Sequence, residues 1–322
     1  MRKLLAVTVA CLLATAVASC GSDAGAEADG AAPFAKVATK FGEVSVPAEP
    51  KRVVALGWGD AETALALGVQ PVGASDWLAF GGEGVGPWAK GKYQQAPQLI
   101  GTLEPEYEKI AALKPDLILD VKSSGKQDRY DTLTAIAPTI GVPEGGDSYK
   151  ISWKQQTELV AAALGRVDQG RELIAATERR FEQAKSQHPE FAGKTITLGA
   201  RTSEGYGAYV SGTGRVTFVE LLGFRNNPAI QAKATEDFSV PVSRENLGLL
   251  NADLTVMTPI GVPARQITED PLYRAVPSVK AGRSVIFDDK VISSAFATDS
   301  VLSVGFALEK VVPLFATALQ AG

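Results

Sequence analysis

Sulfur and imidazole are scarce in this chain. Among 322 residues there are two cysteines, Cys11 and Cys20, and one histidine, His188. A single histidine beside Pro189, with no His/Asp/Glu cluster at ligand spacing, argues against a protein-built metal site. It also leaves no second His or Cys to serve as base or nucleophile. No G-x-G-x-x-G, G-x-x-x-x-G-K-[ST] or G-x-S-x-G pattern occurs, and the glycine run at residues 81–86 has the wrong spacing and follows no predicted strand. The sequence therefore predicts a protein that is not an enzyme and carries no cofactor, with an envelope enzyme as the competing class. Positive charge is also in the minority, with Lys+Arg 32 against Asp+Glu 36 and a formal net charge of −4. That balance argues against nucleic acid or an anionic membrane surface as the partner.

The N-terminus decides the expected compartment. Arg2 and Lys3 precede an uncharged apolar stretch over residues 4–18, too short to span a membrane comfortably and of secretory type. It ends in Val17-Ala18-Ser19-Cys20, which resembles a bacterial lipobox, where cleavage before the cysteine accompanies diacylation. Cys11 lies inside the segment to be removed, so Cys20 is the only cysteine of the expected mature chain and no internal disulfide is possible. Two or more acyl chains anchor stably where one does not. Residues 1–19 thus read as a lipoprotein signal peptide and residues 20–35 as a tether. The small acidic run over 21–32 lacks the apolar surface needed to order itself. The expectation is an exported monomer held to the cell membrane through lipid on Cys20.

Two stretches follow one template. Glu108, Ile110, Leu113, Asp116 and Leu117 stand at the same offsets as Glu245, Leu247, Leu250, Asp253 and Leu254. Each reads as a short helix bearing a carboxylate, a turn and a buried strand, which predicts two similar lobes presenting one Glu apiece. The surrounding pattern is α/β. Apolar strands are predicted near residues 52–56, 71–74, 117–121, 138–142, 194–200, 254–257 and 284–287, alternating with helices, which implies parallel sheets covered on both faces. Asp60 is expected to cap the helix that Gly68 stops. Between the template copies, residues 152–164 read helical. Gly165 interrupts, and a second helix runs from Asp168 to about Gln187 with Leu173, Ile174, Thr177, Phe181 and Ala184 on one stripe. At about 1.5 Å per residue it spans about 30 Å, enough to bridge two lobes. The expected division is an N-terminal lobe at 36–150, a helical connector at 151–190 and a C-terminal lobe at 191–322.

Taken in order, the lipobox, KRVVAL, ALGVQPVG, EKIAALKPDLIL, the long central helix, VSRENL and YRAVPSVKAGRSVIFD closely resemble the iron–siderophore substrate-binding lipoproteins of ABC importers. These class III binding proteins include ferrichrome, ferrioxamine, enterobactin and vitamin B12 binders. The resemblance covers residues 36–320. It implies two Rossmann-like lobes joined by a single long α-helix, with the ligand in the cleft between them. It further implies that Glu108 and Glu245 dock to arginines of the permease dimer. The ordinary alternative is a solvated Glu in a first helical turn, favoured there by the helix dipole.

Open α/β sheets bind ligands beyond the carboxyl ends of their strands. Trp58, Lys122, Ser123 and Arg201 fall at such ends. Trp58, Trp77 and Trp88 cluster around a glycine-rich loop, and Tyr93, Tyr130, Tyr206 and Tyr209 lie in loops or at element ends. Aromatics beside a cleft suit a large amphipathic ligand. A ferric siderophore already saturates its iron with oxygen, so the protein needs only cations and donors for the ligand's outer oxygens. Arg201 is the first candidate, with Arg225 or Lys122 as further ones, and Phe296 is expected to line the C-lobe side. Haem or a corrinoid in the same cleft remains an alternative, with Tyr206 or Tyr209 as the axial group a haem requires.

Overall fold

The computed structural model describes residues 32–101 and 104–321. Cys20, the signal segment and nearly all of the tether lie outside them. An antiparallel hairpin, β1 (Ala35–Thr39) and β2 (Gly42–Val46), opens the fold. Five short parallel strands follow: β3 (Val53–Ala55), β4 (Gly73–Ser75), β5 (Gln98–Ile100), β6 (Leu117–Leu119) and β7 (Thr139–Ile140), in the order β5-β4-β3-β6-β7. Side chains alternate across this sheet, so Val53, Ala55, Leu117 and Leu119 enter one core while Val54 and Ile118 enter another on the opposite face. Burial on both faces is why these strands are apolar without interruption.

The C-terminal lobe departs from an all-parallel sheet. β8 (Thr195–Thr202) turns at Ser203 and Glu204 into β9 (Gly205–Tyr209), which pairs with it antiparallel, and β11 (Ser239–Val242) pairs antiparallel with β9. β12 (Leu254–Pro259) and β13 (Ser284–Ile286) are parallel to β8, and β10 (Arg225–Asn226) lies beside its start. Alternation in GYGAY explains β9. Tyr206 and Ala208 enter the core on one face, and Tyr209 enters the core on the other.

The repeated template has a structural counterpart. Asp116 accepts the backbone N–H groups of Lys51 (2.8 Å) and Arg52 (2.9 Å), just ahead of β3. Asp253 accepts the N–H of Thr195 (2.7 Å), the first residue of β8. In both lobes the strand after the template, β6 or β12, lies next to the strand whose start the Asp fastens. Glu108 sits in the first turn of the helix Tyr107–Ala112, and Glu245 in the 3-10 segment Arg244–Leu250; both are exposed.

Two helices tie the halves together. The helix Trp153–Ala163 is closed at its start by a Ser152–Gln155 capping box and leads into the connector helix Val167–Gln187. On the connector, Ile174 and Phe181 are buried in the C-lobe core, and Leu173 packs against the cores of both lobes. The closing helix Val301–Gln320 is long and apolar enough to cross a membrane, but most of it is buried in the fold. It crosses the connector where Arg180 donates to the Gly305 carbonyl (2.8 Å) and to Glu309 (2.9 Å). Its Phe306 meets Trp88 of the N-terminal lobe, ring centres 5.8 Å apart. Asp299, at φ 46°, separates the helix Lys290–Thr298 from the closing helix Val301–Gln320.

Candidate functional site at the seam between the lobes

The carboxyl ends of the N-lobe strands carry a three-ring stack. Trp58, after β3, lies parallel to Trp77, after β4, with centres 4.2 Å apart. Its other face meets Tyr149, after β7, at 3.9 Å. Gly57 is required beneath it, because a Cβ there would come within 2.7 Å of the Lys122 backbone nitrogen. The Tyr149 loop is held by Ser148 N–H to Ser124 O (3.1 Å) and Tyr149 N–H to Ser123 O (3.0 Å). Both residues sit at left-handed φ, 54° and 62°, a conformation that disfavours side chains. Trp58, Lys122 and Tyr149 then face Tyr209, Thr213, Gly214, Arg215, Phe238, Ala297 and Asp299 across the seam. The recess encloses only about 20 Å³, close to the room of one water. Entry of a large ligand therefore has to displace one of its walls.

Below the rings lies a buried polar floor. Lys122 donates its ammonium to the Asp299 carbonyl (2.9 Å) and carboxylate (3.1 Å). Both side chains are almost wholly enclosed, at 5% and 3% exposure. Burial raises the Asp299 carboxyl above its usual range, opposed by Lys122 and Arg215. Asp60 does not cap its helix; Gly59 occupies that place. The Asp60 carboxylate instead accepts from the N–H of Gly57 and Val121 and the amide of Gln156 (3.1, 2.8 and 2.5 Å). Burial pushes it up to about 6 despite these bonds from Gln156 and Val121. Glu62 accepts from the Trp88 indole (2.7 Å), from the Gly86 N–H and from Ser300, the N-cap of the closing helix. Burial raises its carboxyl too. Arg215 lies 4.5 Å from the Tyr209 ring centre.

Compared with known proteins, the chain matches the periplasmic binding protein family model over residues 53–291. It belongs to that family. A probable siderophore-binding lipoprotein of Bacillus subtilis, YfiY, is 30% identical over 269 residues, covering 78% of this chain and 79% of YfiY. The structure of Streptococcus pneumoniae PiaA in complex with ferrichrome superimposes with a TM-score of 0.77 at 26% identity, over 89% of this chain and 99% of that one. A periplasmic solute-binding protein from Mycobacterium smegmatis gives 0.74 at 29% identity, over 88% and 98%. The fold is that of the class III binding proteins.

In this binding protein the seam gathers only part of the residues expected from sequence. Trp58, Lys122 and Tyr209 line it, and Trp77 backs Trp58. The Lys122 ammonium, however, is committed to Asp299 rather than aimed at a ligand. Ser123 is buried and serves through its carbonyl. Trp88 spends its indole on Glu62 and its face on Phe306, joining the lobes. Tyr93 is buried, and burial raises its hydroxyl. Tyr130 stacks on Phe41 of the first hairpin at 3.9 Å. Phe296 is buried among Phe218, Phe287 and Phe315. Arg225 donates to the Gly193 carbonyl (3.0 Å), on another part of the C-terminal lobe.

Arg201 and Tyr206 line a separate C-lobe recess of about 790 Å³, with Arg244, Glu245 and Arg265 but no N-lobe residue in its wall. Tyr206 gives its hydroxyl to the Gln266 carbonyl and Asp270 (both 3.1 Å), so it offers no free axial ligand. The expectation for Arg201 rested on the carboxyl end of β8, but the β8–β9 hairpin carries that end away from the seam. Sequence reasoning missed Tyr149, Arg215, Phe238 and Asp299. The only signals for them are the SGTGR turn ahead of a helix and the Asp-Ser pair that opens the closing helix.

Proposed function

We propose that this chain is an exported, lipid-anchored binding protein that captures a ferric siderophore at the inter-lobe seam and delivers it to an ABC importer. The observation that carries this reading is the Trp77–Trp58–Tyr149 stack facing Tyr209, Phe238 and Arg215 across two lobes. Aromatic walls take up an apolar ligand body, while one guanidinium fork addresses paired oxygens. Lipid on Cys20 would hold the domain at the membrane. Glu108 and Glu245, exposed at matching places in the two lobes, would meet arginines of a permease dimer. Support comes from the family, from relatives named for siderophores and from the similarity to ferrichrome-bound PiaA. Tryptophan fluorescence of the mature domain tests it. Titration with ferric siderophores should quench emission saturably, while haem and cobalamin should not. Saturable binding of only haem or cobalamin would replace the siderophore reading.

A further inference from the structure

The charges around the seam bear on which ferric complex it accepts. Two cations line the recess, Lys122 and Arg215, and a third, Arg129, stands behind Tyr149. Lys122 is paired with Asp299, which also feels Arg215. Arg129 grips Asp120 through two bonds, 2.9 and 2.5 Å. Asp60 and Glu62 lie buried in the floor. Three cations thus stand among four carboxylates, Asp299, Asp120, Asp60 and Glu62, and no positive excess is left for an anionic guest. The rest of the wall is aromatic or uncharged.

Ferric complexes differ sharply in charge. Three hydroxamates, each singly negative, cancel the iron and leave a neutral complex. Three catecholates, each doubly negative, leave a trianion, and ferric citrates are anionic as well. Moving such an anion out of water costs a large desolvation free energy unless fixed cations replace the solvent. A neutral complex avoids that cost, and a positively charged side arm on it gains from aromatic faces. We infer that the seam selects ferric complexes without net negative charge, the hydroxamate class, and discriminates against ferric catecholates and ferric citrates. This rests on the siderophore reading above and narrows it.

The test is a fluorescence titration of the mature chain with four probes: ferrichrome, ferrioxamine B, ferric enterobactin and ferric dicitrate. Both hydroxamates should bind at least about a hundredfold more tightly than either anion. Two variants test the cause. Asp299→Asn removes a carboxylate at a left-handed position that Asn tolerates, and Phe238→Lys adds a cation at a partly exposed wall residue. Each should raise the catecholate-to-hydroxamate affinity ratio at least about tenfold. If Asp299→Asn fails to fold, as a melting curve would reveal, Phe238→Lys decides alone. Equal or tighter wild-type binding of an anionic probe overturns the class assignment and leaves the siderophore reading standing. An unchanged ratio in a folded variant overturns the charge argument. Binding of none of the four overturns both.

Discussion

Trp58 is covered on both faces, so its contribution to any ligand complex is made through the ring edge or after Tyr149 has moved away. Aromatic pairs are worth about 0.5–1.5 kcal/mol beyond their buried area. Trp58→Ala should therefore weaken siderophore binding by roughly twofold to tenfold in a fluorescence or calorimetric titration. Trp153 is the appropriate control. It is fully buried and stacks beside Phe181 at 6.2 Å; its backbone reaches Asp299, but its side chain is no part of the recess wall. Trp153→Phe should lower the melting temperature and leave affinity intact; an equal loss of affinity from both would remove Trp58 from the site.

The buried acids make a second prediction for single residues. A carboxyl whose folded-state pKa is raised binds its proton more tightly folded than unfolded. Its contribution to stability is complete below the ordinary value and is lost as pH rises through the folded one. For Asp60 that window runs from 3.8 to about 6, and Glu62 and Asp299 shift the same way. Urea unfolding should show stability rising as pH falls from 7 to 5. Asp60→Asn should flatten that slope, a change of about 1 kcal/mol over those two pH units. Asp253 and Asp270 are shifted down, so acid loosening should begin only below their ordinary range.

Among the elements, the paired template makes the clearest case. Asp116 and Asp253 each fasten the start of the neighbouring strand, and removing a charged acceptor from such N–H groups costs about 1–3 kcal/mol. Asp116→Ala and Asp253→Ala should each lower stability by about that amount in chemical unfolding while leaving ligand affinity unaltered. A loss confined to one of them would mean that the two lobes are not built alike at this point. This echo was legible in the sequence because it is local: a carboxylate, apolar offsets and a strand within ten positions. The parallel strands were legible because burial on both faces leaves an unbroken apolar run, as in Leu117–Leu119. β9 and β11 were not, since Gly and Tyr in GYGAY resemble a loop until a partner strand supplies the pairing. Nor was most of the site. Tyr149 and Phe238 come from separate loops and Arg215 from the first turn of the helix Gly214–Leu221, and only the closing of two lobes makes neighbours of them. Phe296 shows the converse, an aromatic expected to line the C-lobe side of the site that the core claimed.

For the whole molecule, the connector and closing helices cross at Arg180 and Gly305, and the N-terminal lobe is pinned to the closing helix through Trp88 and Glu62. Such double bracing favours small lobe displacements over a wide hinge. It also holds Glu108 and Glu245 in a fixed relation, as docking to a permease dimer requires. Glu108→Lys combined with Glu245→Lys should leave siderophore affinity unchanged and abolish uptake in cells at normal protein levels, because like charges then meet at the interface. Undiminished uptake would end the docking proposal. The ring stack has a consequence of another kind. Parallel indoles 4.2 Å apart share their electronic excitation, so the unliganded protein should give a two-signed band in near-ultraviolet circular dichroism that vanishes in Trp77→Phe. A guest that prises Tyr149 from Trp58 alters that coupling, which gives the protein a built-in optical gauge of occupancy needing no label.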